Sequence, residues 1–343
     1  MSREFWQNYN LRLEPWGIEF AAPIRWDADA TSPEAIELSV EQTEWVACEP
    51  RLKAPTPRSL YFIDGRRRLD ARFLGRQPEN NEPIYGAFAT IAVGAVQVDR
   101  AQNQARYEHL KIERTIAIAN LQQPPITEVP CPLGSSNSLL YTSCSNSAVE
   151  NTPQAPLNLV QDAMLTAEGQ LARQLSDQCS TALIIQDGPL RYGPRQTPEN
   201  ALGYVKTMGK QYLPPDKFGL LWDLSVGQRT PIFRIKTQTN KEQWSWYLRS
   251  GSPELQPQQL GYHELHGVVR LDMYGSVPLE KVKAMADLST WLILDYASQP
   301  TRDPRAPQNL TPIGALEKEL GRRMGDRTLI ARRIQQFLNL SAV

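Results

Sequence analysis

The segment that most constrains this chain is "APLNLVQDAMLTAEGQLARQLSDQC" (155–179), which runs without a break into "STALIIQDGPL" (180–190). Apolar residues at 157, 160, 164, 165, 171 and 175 form the stripe of an amphipathic helix, with one interruption. The "ALII" that follows has no polar alternation, as a strand covered on both faces requires. A helix feeding such a strand is an α/β crossover, and it demands a sheet with helices packed on it.

Other segments extend that sheet. "SLYFI" (59–63) reads as a second buried strand, and "GAFATIAVGAVQVD" (86–99) with "ARYEHLKIERTIAIA" (105–119) completes an antiparallel meander. "TPIFRIKTQ", "WSWYLRS" and "HGVVRLDMYG" read as strands. Helices are predicted over 32–47, started by Ser32 and Pro33, over "TPENALGYVKTM", over 278–297 and over a closing pair, "TPIGALEKELGRRMG" and "RTLIARRIQQFLNL". The polar stretch 122–156 reads as a surface loop. With 343 residues the chain can hold one large or two ordinary domains. We read an extension over 1–50 and one mixed α/β domain with insertions over 51–343, with C-terminal helices from about 278 to 340.

Both buried runs, "SLYFIDG" and "ALIIQDG", stop at Asp-Gly. Asp-Gly is among the commonest turn dipeptides, so two turns are one reading. The other is a pair of acidic ligands, Asp64 and Asp187, at the ends of central strands, where α/β sheets bind ligands. Glu168, in the helix before the second strand, sits among small and apolar neighbours and needs a partner, or else faces solvent. Carboxylates without a His or Cys set favour a hard ion, magnesium or manganese, which activates water and stabilises displacement at a phosphodiester. From Arg51 to Arg76 there are seven Arg and one Lys against two Asp, with Arg66 and Arg67 directly after Asp64-Gly65. Such a cluster suits an anionic backbone, though charge runs are commonly solvated surface.

Some chemistry is disfavoured. Lys plus Arg equals Asp plus Glu at 37 each, so net charge does not point to nucleic acid or membrane. "GYVKTMGKQ" lacks phosphate-loop spacing, "HELH" lacks the zinc-helix spacing, and His109 is isolated. The four cysteines are scattered, as in a reduced protein. "MSREFWQNYN" is too polar for a signal peptide, and no apolar run approaches the ~18 residues of a membrane span. A cytoplasmic protein is expected.

The order "FIDG", a helical Glu, "IIQDGPL", "GYVK" and "VVRLDMY" before a long helix resembles the NurA family of nucleases, from about residue 59 to the C-terminus. The resemblance implies a ribonuclease H-like fold, a mixed sheet flanked by helices. It implies manganese-dependent cleavage (magnesium being the alternative) of single-stranded DNA and DNA ends. It also implies a homodimer docked on a HerA-like hexameric ATPase in double-strand break repair. Carried over, Asp64, Glu168 and Asp187 are the catalytic metal ligands, and Lys206 contacts phosphate. Arg270 and Asp272 match an Arg-x-acid strand, Arg270 joining Arg66 and Arg67 toward substrate. The family often has a Tyr-Pro…Ala-His segment near the end; "APQNLTPIGALE" (306–317) has no His, leaving Asp287, Asn309 or Glu317 to complete the site. That departure keeps open a weakly active or inactive scaffold for a hexameric translocase. A ribonuclease or phosphatase on the same fold is a further alternative.

Overall fold

Strand β3 (Ser59–Arg76) does not stop at Asp64-Gly65 but carries the dipeptide in its interior. In the computed structural model it pairs with β4 (Pro83–Asp99) along its whole length, and β4 pairs with β5 (Gln104–Ile118), giving the expected antiparallel meander. The ladder continues through Asp64-Gly65 because Asp64 pairs with Gly94 and Gly65 with Val93, so no turn is made there. The structure describes residues 35–49, 56–118, 126–131, 137–144, 151–191, 197–207, 210–236, 241–251, 264–299, 301, 303 and 305–340, with the backbone of 12–13.

After the meander, α1 (Ala155–Gln178) crosses to β8 (Leu183–Asp187), which lies parallel to β3, with Ile63 opposite Gln186. Next comes β9 (Ala201–Val205), parallel to β8. With β3 on one side and β9 on the other, β8 buries Leu183, Ile184, Ile185 and Gln186 completely or nearly so. Burial of each such aliphatic side chain stabilises by about 1.5–3 kcal/mol, which is why an unalternating run takes the central place.

The sheet continues through β12 (Val268–Tyr274), β11 (Glu242–Arg249), β10 (Phe233–Lys236) and β2 (Ala35–Glu37). At the other margin β5 is followed by β7 (Leu139–Ser143) and β6 (Ile126–Val129), and the short β1 (Arg12–Leu13) pairs with the far end of β3. One mixed sheet therefore gathers all of these strands.

Its two faces can be told apart by register. Gly65 faces α1: a Cβ there would overlap Glu168 Oε1 and come 2.9 Å from Met164 Cγ. Gly94, opposite Asp64, faces the other side, where a Cβ would lie 3.5 Å from Leu316 of α5 (Thr311–Arg323). Helix α4 (Leu279–Tyr296) is on that side too, with Phe62 and Tyr296 ring centroids 4.9 Å apart, and α6 (Arg327–Leu340) buries Ile330, Ile334 and Leu338 against Phe73 and Phe88. The short α2 (Pro215–Phe218) and α3 (Leu220–Asp223) pack near β10 and β11. The layers are helix, sheet, helix.

Three expectations need correction. The helix predicted over 32–47 is not formed in its described part: Ala35–Glu37 is edge strand β2, and 38–49 is irregular. Backbone pairing with β10 wins there over helix propensity. "TPENALGYVKTM" contains β9, not a helix; Ala201–Val205 is buried throughout, and five apolar residues are too few for periodicity to separate strand from helix. The 122–156 stretch includes β6 and β7, whose exposed-buried alternation at Ile126-Thr127-Glu128-Val129 is short and set among Pro and Ser. Most of the 1–50 extension lies outside the described residues, as does His263 of "HELH". Arg229 ties the remainder to the body: buried, it donates to Glu41 at 2.8 and 2.9 Å and to Asp287 of α4 at 2.7 Å. Among the described residues no cysteine is in a disulfide. Among the described residues no helix is long and apolar enough to cross a membrane.

Candidate metal centre

Parallel pairing of β3 with β8 brings Asp64 beside Asp187, since Ile63 is opposite Gln186 and the next residue of each strand shares a face. Gly188, with φ of +88°, ends β8 immediately after Asp187 in a backbone conformation that favours glycine, and its N–H still bonds Tyr204 O of β9 at 2.8 Å. Helix α5 approaches the same face and contributes Glu317. One oxygen from each of Asp64, Asp187 and Glu317 lies within 4.8 Å of the others.

A hydrogen-bonded chain runs round this group. Lys206, just beyond β9, donates from Nζ to Asp187 Oδ2 at 2.7 Å and to Asn309 Oδ1 at 2.7 Å. Asn309, fully buried, donates from Nδ2 to Asp303 Oδ2 at 2.5 Å. Arg305 donates to Asp303 Oδ2 at 3.2 Å and grips Glu317 with both terminal nitrogens, at 2.9 and 2.6 Å. The chain thus begins on one carboxylate of the group and ends on another. Asp64 stands apart: its Oδ1 accepts from the Gly65 N–H at 2.8 Å, while Oδ2 is buried without a partner among the described residues.

Glu168 comes from the opposite face. It is 2% exposed on α1, accepts from Gln186 Nε2 at 3.4 Å and packs against Gly65. It lies outside the group within 4.8 Å, yet its charge is felt by Asp64.

The electrostatics follow from crowding. Burial, then the charges of Asp187 and Glu168, push the Asp64 carboxyl well above the usual range. Burial, then Asp187, lifts Glu168 to about 8. Burial also raises Asp187, against the pull of Lys206. Burial works against ionised Glu317, but Arg305 outweighs it and the carboxyl sits low. Carboxylates forced together in this way hold protons or take a cation.

The remaining expected residues are distributed as follows. Arg66 lies on the Asp64 face and donates to Glu317 O at 3.1 Å. Arg67 points to the α1 face, where its Nε donates to Gln161. Arg270 is turned to the face away from Asp64: it makes a two-point ion pair with Asp272 at 2.9 and 3.0 Å and lies 4.5 Å from the Tyr212 ring centroid. His266 is buried against Ala306 O at 2.8 Å, and His109 has φ of +53° at a strand irregularity. Of the three residues weighed for the His position, Asn309 and Glu317 reach the centre and Asp287 is held by Arg229. Asp303 and Arg305 were not anticipated; their signal was the charged, Pro-bracketed "TRDPRAP" before α5. No family model matches this chain, and no curated protein matches it in sequence.

Proposed function

We propose that the chain is a divalent-metal-dependent deoxyribonuclease of ribonuclease H-like architecture, cleaving single-stranded DNA and DNA ends. The observation that carries the reading is the Asp64, Asp187 and Glu317 group, with oxygens within 4.8 Å and the Asp64 Oδ2 buried without a hydrogen-bond partner among the described residues. A buried carboxylate oxygen with no donor is costly unless a cation meets it, and an all-oxygen set suits manganese or magnesium. Asp64, Asp187 and Glu317 would hold the ion, with Glu168 close behind; when bound, the ion would supply charge neutralisation and an activated water at a phosphodiester.

The chain's own residues have definable tasks. Lys206 and Arg305 hold Asp187 and Glu317 in place and put positive charge where a phosphate would approach. Arg66, on the same face, extends that positive rim. Glu168, whose carboxyl burial and the Asp187 charge push up to about 8, lies behind the centre on the α1 face. A meander followed by a helix and two strands parallel to its first member supports the ribonuclease H-like reading, and the NurA resemblance agrees with it.

The test is manganese-dependent cleavage of end-labelled single-stranded DNA by wild type, Asp64→Asn and Asp187→Asn. Loss of cleavage in both variants is expected; equal activity in all three rejects the site. An RNA competitor separates a ribonuclease from a deoxyribonuclease. A homodimer bound to a HerA-like hexameric ATPase is part of the proposal, and light scattering of the chain alone and with such an ATPase checks it. One observation favours a second reading, an inactive scaffold for that translocase: Lys206 and Arg305 already sit on two of the three carboxylates. Firm ATPase binding with no cleavage at millimolar manganese selects it.

A further inference from the structure

We propose that the centre takes one divalent ion, not two, and that the Lys206 ammonium holds the place of a second. The inference rests on the metal-centre reading above and adds to it the number of ions and the role of Lys206.

The argument begins with charge. The face of the sheet that carries the group presents Asp64, Asp187, Glu317 and, through Asn309, Asp303. Among the described residues the cations paired with these four carboxylates are two, Lys206 on Asp187 and Arg305 on both Glu317 and Asp303. The formal balance is −2, which one divalent ion neutralises. A second would carry that balance to +2, and like charges a few ångströms apart at a half-buried site repel by several kcal/mol.

Geometry makes the same point. Lys206 is built in, and Arg305, half exposed, is held by two carboxylates. Lys206 is only 16% exposed and is fixed by two acceptors at 2.7 Å, so its ammonium is a positioned charge with little freedom. Arg305 uses both terminal nitrogens on Glu317. With the chain Asp187–Lys206–Asn309–Asp303–Arg305–Glu317 continuous, the remaining span is between the three carboxylates themselves, where Asp64 Oδ2 has no donor among the described residues. There Asp64, Asp187 and Glu317 would hold the one ion. Lys206 Nζ lies between Asp187 Oδ2 and Asn309 Oδ1, so those two oxygens already share a resident cation that a second ion would have to displace.

The experiment is a count of bound manganese per full-length chain, by equilibrium dialysis with elemental analysis, which needs no activity. Wild type is expected to bind one ion. Lys206→Met, which removes the resident charge and leaves Asp187 and Asn309 facing each other, is expected to bind two; Lys206→Arg, which restores the charge, is expected to return to one. Two ions on wild type, or one ion on Lys206→Met with affinity unchanged or weaker, overturns the proposal while leaving the metal centre standing. No ion on wild type at millimolar manganese overturns the centre itself. The wild-type count is decisive even if the Met variant does not fold.

Discussion

Glu168→Gln should make this protein more stable at neutral pH, and the gain should fade in acid. Glu168 is 2% exposed on α1, and burial followed by the charge of Asp187 raises its carboxyl from 4.5 to about 8. At pH 7 the folded protein therefore keeps a proton that the unfolded chain has released. At about 1.36 kcal/mol per pH unit, that mismatch disfavours folding by ~3 kcal/mol at pH 7, and relaxation around the site trims this to ~2 kcal/mol. The sign follows from linkage: the folded state binds more protons, so stability falls as pH rises from about 4.5 to about 8. A Gln carries no such penalty, and its amide keeps the Gln186 contact now made at 3.4 Å. For 343 residues, ~2 kcal/mol corresponds to a rise in Tm of ~3 °C. The assay is differential scanning calorimetry of both proteins from pH 4.5 to 8 with chelator present. A variant less stable than wild type at pH 7, or a difference that does not change with pH, would refute the reasoning.

Three further outcomes are expected. Manganese should raise the Tm of wild type, by ~2.7 kcal/mol of stabilisation at a hundredfold excess over Kd, and should leave Asp64→Asn unmoved in the same thermal scan. Arg229→Met should cost about 3–5 kcal/mol by urea midpoint, because Glu41 and Asp287 would lose the buried guanidinium they share; a change under ~1 kcal/mol would show that the clamp is not needed. Gly65→Ala should cost about 1–3 kcal/mol by denaturant titration, since its Cβ would overlap Glu168 Oε1 and crowd Met164, and it should weaken manganese binding by displacing Glu168.

What was legible beforehand depended on how local the determinant was. The α1–β8 crossover and the meander could be read because amphipathic period and unbroken apolar runs are properties of consecutive residues. The identity of Asp64 and Asp187 followed from the same runs, but the nature of Asp64 did not: Asp-Gly suggests a turn, while 17 residues of β4 hold β3 extended through it. Strand β9 and edge strand β2 read as helix in the sequence because their conformation is set by partners distant in sequence, β8 and β10. Glu317 could be named only as one of three candidates, because its contribution depends on how α5 is laid across β3 and β4, which no short-range pattern encodes. Arg305 and Asp303 were invisible for the same reason: they matter through the chain they complete to Glu317 and Asn309.

The central claim is that carboxylates from β3, β8 and α5 close on a single hard cation. Crystals grown with manganese, with data collected on either side of its absorption edge, test it most directly. The account predicts one anomalous peak per chain, touching the side chains of Asp64, Asp187 and Glu317, with Lys206 still on Asp187. A difference map with no peak among those three residues, or a peak whose ligands include neither Asp64 nor Asp187, would contradict it.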